Sequence, residues 1–486
     1  MSEFNLQVGT DEIAVIRWDV PEKTLNILTL NGLEELESIV ENLLFERKVK
    51  GVIITSGKED FAAGMDLNVL ANLQKSTVSG DAEKIFEFTM RVHRLLRKIE
   101  LGGKDTQKSQ KGIPFVWANP GLSAGIGTEI GLACHHRIAA DERRTKVGLP
   151  EIQVGLFPGA GGATRVSRMV GLMSGAPILM EGKMFSAKNA KMVGIIDQVT
   201  KKDDLITDAK NWILSANDEI ITKAWDKKGY RMPGGAPYHP NGFMTFVGAS
   251  AMISSKTKNV YPAAKYLLSA IYEGALTNFD TALKIEARWF TKILSEKSTS
   301  NMIRTLFISK NSLEKGLMRP KKIEKKMLGK IGIIGAGMMG AGIAHSAAMN
   351  NIRVTLIDKD LDSAKVGIER INEILIAGMK RGKITEEKKE QILSRISPSC
   401  DYGDLKQVDI VVEAVFEDPE IKDTVLKEID RYVSKNTIIA SNTSTLPITD
   451  LSNSVVNPKD FLGIHFFSPV HKMNLVEIIK SEKTDQ

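Results

Sequence analysis

Cysteine is scarce in this sequence. Cys134 and Cys400 are the only two in 486 residues, too few for a disulfide framework and suited to a reducing compartment. The opening stretch MSEFNLQVGTDEIAV has no basic segment followed by an apolar one, and it is acidic rather than arginine-rich. Neither a secretory leader nor an organelle transit peptide is expected from it, and a cytoplasmic location is. No arginine–aromatic repeat or basic stripe points to nucleic acid. The net charge of +7 would instead help attract anionic ligands. A transmembrane span is also missing, because the apolar, glycine-rich run at 331–349 holds His345 and is soon followed by Asp358-Lys359-Asp360. The adjacent His135 and His136 have no cysteine or carboxylate set beside them to complete a metal site, and as neighbours on a helix they would point about 100° apart.

What is present describes an ordinary globular protein: 42% hydrophobic and 26% charged residues, with a length that suggests two or three domains. The most organised stretch is 330–358, KIGIIGAGMMGAGIAHSAAMNNIRVTLID. Residues 331–334 suit a buried parallel strand. Gly335, Gly337 and Gly340 follow as G-x-G-x-x-G, for a tight turn, close backbone approach to a pyrophosphate, and close helix packing. A helix over 339–349 would aim its N-terminal N–H groups at phosphates. A second strand, 352–357, ends at Asp358. An acid there accepts hydrogen bonds from ribose hydroxyls and repels a 2′-phosphate, which favours NAD over NADP.

Within 1–200, the segments 13–18 and 51–56 read as strands and 32–45 as a helix. Small-residue loops follow at FAAGMDL (61–67) and PGLSAGIGTE (120–129), where inward-facing N–H groups could bind an oxyanion. A helix is expected over 130–138. Glu129 and Glu151 each stand beside a turn rich in glycine or proline. Adding water across a double bond needs one group to activate the water and another to deliver a proton, a task suited to two carboxylates.

FAAGMDL, SAGIGTEIGLAC and VGLPEIQVGLFPGAGGATR resemble the enoyl-CoA hydratase (crotonase) superfamily across nearly all of 1–200. The resemblance implies a ββα spiral domain and an acyl-CoA substrate. It also implies an oxyanion hole from the N–H groups of Met65 and Ile126, with Glu129 mainly activating water and Glu151 exchanging the Cα proton. Where that family usually has three consecutive glycines, Ile126 holds the middle position; its β-branched side chain restricts φ and is expected to crowd the acyl pocket. The polar stretch 104–111 and the strand-like 113–119 match the family more loosely.

Residues 201–328 read as a helical extension and linker without a catalytic constellation, with helices expected at 205–221, 263–273, 280–294 and 301–309 and a charged connector at 319–326. Beyond the glycine motif, a helical hairpin over 361–394 precedes strands at 408–415 and 437–445 and the stretch FLGIHFFSPV at 461–470. Oxidising a secondary alcohol with NAD requires a base for the hydroxyl proton. His465 suits that by its intrinsic pKa, and Glu477, a short way further along the chain, could orient it.

With SNTST upstream and VEII downstream, 329–480 resembles the 3-hydroxyacyl-CoA dehydrogenases, which implies a Rossmann-like, doubly wound NAD-binding domain. By that resemblance His465 is the base, Glu477 its partner, Ser444 a contact for the substrate hydroxyl and Asn442 a support of the histidine. Gly335, Gly337, Met339, Gly340, Asp358, Glu413, Ala414 and Val415 would line NAD. Ser468 stands where that family often has asparagine. The order of motifs resembles the α-subunit family of bacterial fatty-acid oxidation complexes, an α/β architecture divided here as 1–200, 201–328 and 329–486. That family implies β-oxidation, a thiolase β-subunit as partner and an oligomer. Those dehydrogenases continue into a helical domain of a hundred or more residues, whereas this sequence stops at Gln486, so the second activity is expected to be impaired. The alternative is a non-catalytic CoA- or NAD-binding remnant of such an enzyme.

Overall fold

The computed structural model describes residues 2–78, 82–105, 110–320, 323–324 and 326–485, with the backbone alone at 67 and 74–78. Half of the polar stretch 104–111 and part of the connector 319–326 therefore lie outside the described residues. The chain forms two compact units, Met1–Met318 and Arg319–Gln486.

The first unit is built on nine strands: β1 (Phe4–Val8), β2 (Ile13–Trp18), β3 (Gly51–Ser56), β4 (Phe115–Asn119), β5 (Ser123–Ala124), β6 (His136–Ala140), β7 (Lys146–Gly148), β8 (Phe185–Ser186) and β9 (Gln198–Thr200). The main sheet runs β1-β2-β3-β4-β6-β9, and β5-β7-β8 form a smaller one. Only β1 pairs antiparallel in the main sheet. β3 and β4 are buried along their whole length, as strands covered on both faces must be. Helices from the 201–318 segment pack into the same unit: Phe279–Leu294 places Phe290, Ile293 and Leu294 in the core that the strands of 1–200 form.

Three expected helices came out differently; the one expected at 301–309 is the end of an α-helix, Lys297–Met302, followed by a π-helical stretch, Ile303–Ser309. The helix expected at 130–138 runs instead over Ile126–Ala133, and the chain turns at Cys134 into β6. The reason lies outside the local sequence: the buried Lys223 donates to the Leu132 and Cys134 carbonyls, ending the helix. The helix expected at 205–221 breaks into Leu205–Ser215 and Asp218–Ile221, where the Asn217 side chain caps the second piece through the N–H groups of Glu219 and Ile220.

The second unit holds β10 (Lys330–Ile334), β11 (Arg353–Ile357), β12 (Ile396–Ser399), β13 (Ile410–Glu413), β14 (Ile438–Ser441), β15 (Phe461–Phe466) and β16 (Val476–Lys480). Their order is β12-β11-β10-β13-β14-β15-β16, parallel except for the antiparallel β15–β16 edge. Two cores cover opposite faces: Ile410 and Val412 of β13 point into one, Val411 into the other. The order reverses between β10 and β13, the switch point where doubly wound sheets bind ligands beyond their strand ends. Among the described residues no helix is long and apolar enough to cross a membrane.

Candidate active sites

In the first unit the two small-residue loops are stitched together. The N–H groups of Phe61 and Ala62 donate to the Leu122 carbonyl, and Ala124 N–H donates to Ala62 O, at 2.8–3.1 Å. The fully buried Asn26 holds the first loop from behind. Its side-chain amide donates to the carbonyls of Trp18 and Phe61, and its backbone carbonyl accepts from Ala63 N–H. Leu28 bonds the backbones of Gly64 and Asp66 on either side of Met65. In a parallel bridge of this kind, the N–H of the flanked residue points away from the partner strand, so Met65 N–H is left free. Gly125 (φ 57°) takes a left-handed turn that permits the helix to begin at Ile126, and a first-turn N–H has no acceptor within its own helix. Neither N–H meets a carbonyl among the described residues. Ile126 itself is only 3% exposed and its side chain packs in the core.

The carboxylates converge on the same place. Glu129, in the first turn of that helix and 2% exposed, accepts from the N–H groups of Ala160 and Gly162 through Oε1, both at 2.8 Å. No described residue bonds its Oε2. A Cβ on Gly162 would lie 2.7 Å from that Oε1, so the carboxylate fits only against glycine. Glu151 sits in the 3₁₀ turn Pro150–Val154, and its Oε2 is shut off from solvent without a partner. A Cβ on Gly125 would meet Glu151 Oε1 at 2.8 Å, which places Glu151 against the glycine that precedes Ile126.

A third buried carboxylate, Glu286, arrives from the helix Phe279–Leu294. It accepts from Gly161 N–H at 2.7 Å, Thr164 N–H at 2.8 Å and the Thr164 hydroxyl at 2.6 Å. Burial, together with the charges of Glu151 and Glu286, holds Glu129 well above the usual carboxylate range. Burial, with Glu286 adding, lifts Glu151 to about 7.

In the second unit Gly335 (φ 98°) turns the chain, and its missing Cβ makes room for Ala414 O, which would lie 2.6 Å away. A Cβ on Gly340 would stand 1.7 Å from Gly335 O, whereas one on Gly337 would meet nothing within 4 Å. Gly340 is therefore small for packing, and Gly337 leaves open space before the helix Met338–Met349. Such a cradle fits a pyrophosphate. Met339, half-buried, follows in the first turn. Asp358 accepts from the N–H groups of Ala336 and Lys359 at 2.7 and 2.8 Å, which places its carboxylate beside the glycine turn.

β15 and β16 set His465 directly opposite Glu477, with His465 Nδ1 2.8 Å from Glu477 Oε2. Asn442 Oδ1 accepts from Phe466 N–H at 2.9 Å and so ties its loop to the histidine strand. Glu413 is fully buried, bonded by Lys422, Ser441 and Val415 N–H. Ala414 N–H is spent on Ile334 O. The Ser444 N–H and hydroxyl both donate to Glu417 Oε1, at 2.8 and 3.3 Å.

The sequence model of the enoyl-CoA hydratase/isomerase family matches residues 9–226, and that of the 3-hydroxyacyl-CoA dehydrogenase NAD-binding domain matches residues 330–486. The chain joins one domain of each family. A fatty acid oxidation complex subunit alpha from Shewanella amazonensis is 31% identical over 99% of this chain and 66% of its own length. Its namesake from Pseudomonas syringae pv. tomato is 32% identical over 98% of this chain and 63% of its own. The chain therefore spans about two thirds or slightly less of the length of these relatives. The solved (S)-3-hydroxybutyryl-CoA dehydrogenase of Ralstonia eutropha is 40% identical over 33% of this chain and 56% of its own, with a TM-score of 0.33.

Sequence reasoning missed several residues of these two domains. Asn26 and Glu286 in the hydratase/isomerase unit carry no motif, since one is a loop asparagine and the other a helix glutamate far along the chain. In the dehydrogenase-family domain, Glu417 accepts from the Thr443 hydroxyl and from the N–H and hydroxyl groups of Ser444 and Thr445, and it pairs with Lys422. Burial would raise its pKa, but the donors from Thr443 and Ser444 and the Lys422 charge bring it down to about 2. Lys422, 1% exposed, looks in the sequence like one more surface lysine of an amphipathic helix.

Proposed function

We propose that the chain hydrates 2-trans-enoyl-CoA to 3-hydroxyacyl-CoA and carries a module for NAD-dependent oxidation of that product to 3-oxoacyl-CoA, as a β-oxidation enzyme. The observation that carries this reading is the meeting of two shifted carboxylates, Glu129 and Glu151, with two backbone N–H groups left free in the adjoining loops. The N–H groups of Met65 and Ile126 polarise the thioester carbonyl and stabilise the enolate as it forms. Glu129, held by two N–H groups through Oε1, presents Oε2 to water. As the water oxygen bonds C3, one of its protons passes to Glu129, and Glu151 delivers a proton to C2. The pair thus gains one proton and gives one, which two coupled carboxylates with raised proton affinity are suited to do near pH 7.

In the second unit His465 takes the hydroxyl proton while Glu477 orients the ring and stabilises the imidazolium. The glycine cradle, Asp358 and the ends of β10 and β13, including Glu413, Ala414 and Val415, would hold NAD, which supplies the hydride acceptor. Ser444 would meet the substrate hydroxyl, and Asn442 braces the histidine strand. The residues assigned to hydration lie in 1–200 and those for oxidation in 329–486, with 201–328 as the helical extension. A thiolase β-subunit would take the 3-oxoacyl product, and self-association in the cytoplasm completes the proposal. The test follows loss of the enone-thioester absorbance of crotonyl-CoA and NADH formation from 3-hydroxybutyryl-CoA on one preparation. No hydration at any pH would overturn the reading.

A further inference from the structure

We propose that Glu286 is a positioning residue of the hydratase site, which fixes the turn that orients Glu129 and sets the pH range in which the Glu129–Glu151 pair works. The inference rests on the hydratase reading above. The turn at 158–164 leads into the helix Gly162–Leu179, and its N–H groups are shared between two carboxylates. Those of Ala160 and Gly162 go to Glu129, and those of Gly161 and Thr164 go to Glu286. Neither carboxylate can shift without disturbing the donors that interleave with its own. Glu286 is fully buried, yet it comes from the helical segment that follows β9, where a glutamate serving packing alone would carry a desolvation cost with nothing gained.

The groups facing Glu286 leave its charge only partly compensated. His93, from the helix Ala82–Leu101, places Nε2 3.8 Å from Glu286 Oε1. Burial and the Arg165 charge push His93 down to about 3, and its Nε2 is spent on Gly159 O, so it is neutral near pH 7. Arg165, from the helix Gly162–Leu179, is paired with Glu100. On the neighbouring helix Pro262–Ala275, Glu273 pairs with Arg288 at the surface. Glu129 and Glu151 also feel the Glu286 charge, which raises the proton affinity of both. Burial lifts Glu286 itself to about 7 against the hydrogen bonds of Thr164 and Gly161 and the charge of Arg165. The charge of Glu286 thus acts on both carboxyls of the pair.

The sign follows. Removing the Glu286 charge lets the pair lose its protons at lower pH, so the carboxylate limb of the pH profile moves down. Removing only the Thr164 hydroxyl raises the proton affinity of Glu286. It is then neutral over more of the range, and the limb moves down by less. The experiment is the pH profile of kcat/KM for crotonyl-CoA hydration by the full chain and by Glu286→Gln and Thr164→Val. The expected results are a downward shift of about half a pH unit or more for Glu286→Gln, a smaller one in the same direction for Thr164→Val, and a lower kcat in both. Thr164→Val keeps the backbone donors, so it decides the matter if Glu286→Gln does not fold. An active wild type whose limb stays in place in every folded variant overturns the role of Glu286 alone. A wild type inactive at all pH values overturns the hydratase reading and this inference with it.

Discussion

The two candidate sites handle charge in opposite ways. In the first unit the carboxyl groups are withdrawn from water: Glu129 is 2% exposed and Glu286 fully buried, and like charges share a turn. In the second unit the dyad lies open, the His465 side chain 19% exposed and that of Glu477 51%, beside the exposed Leu475 and Ile478. The charges withdrawn from water there, Glu413 and Lys422, lie behind the strand ends and satisfy each other. The hydratase-type site therefore obtains its proton affinities from burial within one unit. The dehydrogenase-type site has a rigid cofactor cradle and a dyad still wetted by solvent, whose electrostatics will depend on what covers it.

This contrast makes the first prediction the largest. Glu151→Gln should lower kcat/KM for crotonyl-CoA hydration by about 10²–10⁴-fold while changing CoA binding little, because proton transfer is lost and shape is kept. Glu129→Gln should do the same, and the double variant should lose little more, since both act on one water addition. Loss of less than tenfold in either single variant would sink the assignment.

A large effect on stability belongs to the second unit. Lys422→Met leaves Glu413 buried without its partner and should destabilise that unit by about 3–5 kcal/mol. Lys427→Met, which removes the exposed pair with Asp423, should cost under about 0.5 kcal/mol. Urea unfolding followed on the second unit distinguishes them, and equal effects would show that burial of the pair is not the cause.

Asp358→Asn should weaken NADH binding by about tenfold and narrow the preference over NADPH, because the ribose hydroxyls lose a charged acceptor and the 2′-phosphate loses its repulsion. Calorimetric titration with both cofactors reads this, and an unchanged ratio of affinities would remove Asp358 from the ribose site.

A further effect is thermal. Glu151 has its folded pKa lifted to about 7 from 4.5. The folded state therefore binds more protons than the unfolded one between those values, and stability falls as pH rises through that window. Glu151→Gln removes that penalty. Its melting midpoint should equal that of the wild type near pH 4.5 and exceed it by a few degrees at pH 8. A difference that does not change with pH would contradict a buried charge as its source.

Much of the second unit was legible in the chain because its signals are local. β10, the glycine turn and β11 lie within one βαβ unit, where the strand period, glycine spacing and terminal acid can be read together. The helix actually begins at Met338, one residue earlier than expected. The loops around Met65 and Ile126 were legible as small-residue turns, whereas the helix end at Ala133 was decided by Lys223 from far along the chain and the helix expected at 205–221 is broken internally before Asp218. The extension at 201–328 read as devoid of chemistry because a glutamate in an amphipathic helix looks the same whether it meets water or a glycine turn.

By itself the sequence determined what local spacing can carry: the strand–glycine–helix–strand cradle ending at Asp358, the two small-residue loops, the pairing of two glutamates with turns, and a histidine followed closely by a glutamate. Tertiary structure alone decided which donors each carboxylate receives, since Glu129 meets Ala160 and Gly162 across 31 and 33 residues and Glu286 meets Gly161 across 125. It also decided which charges are buried, and hence their proton affinities. Desolvation and Coulomb interactions depend on distance through space, and a sequence records distance only along the chain.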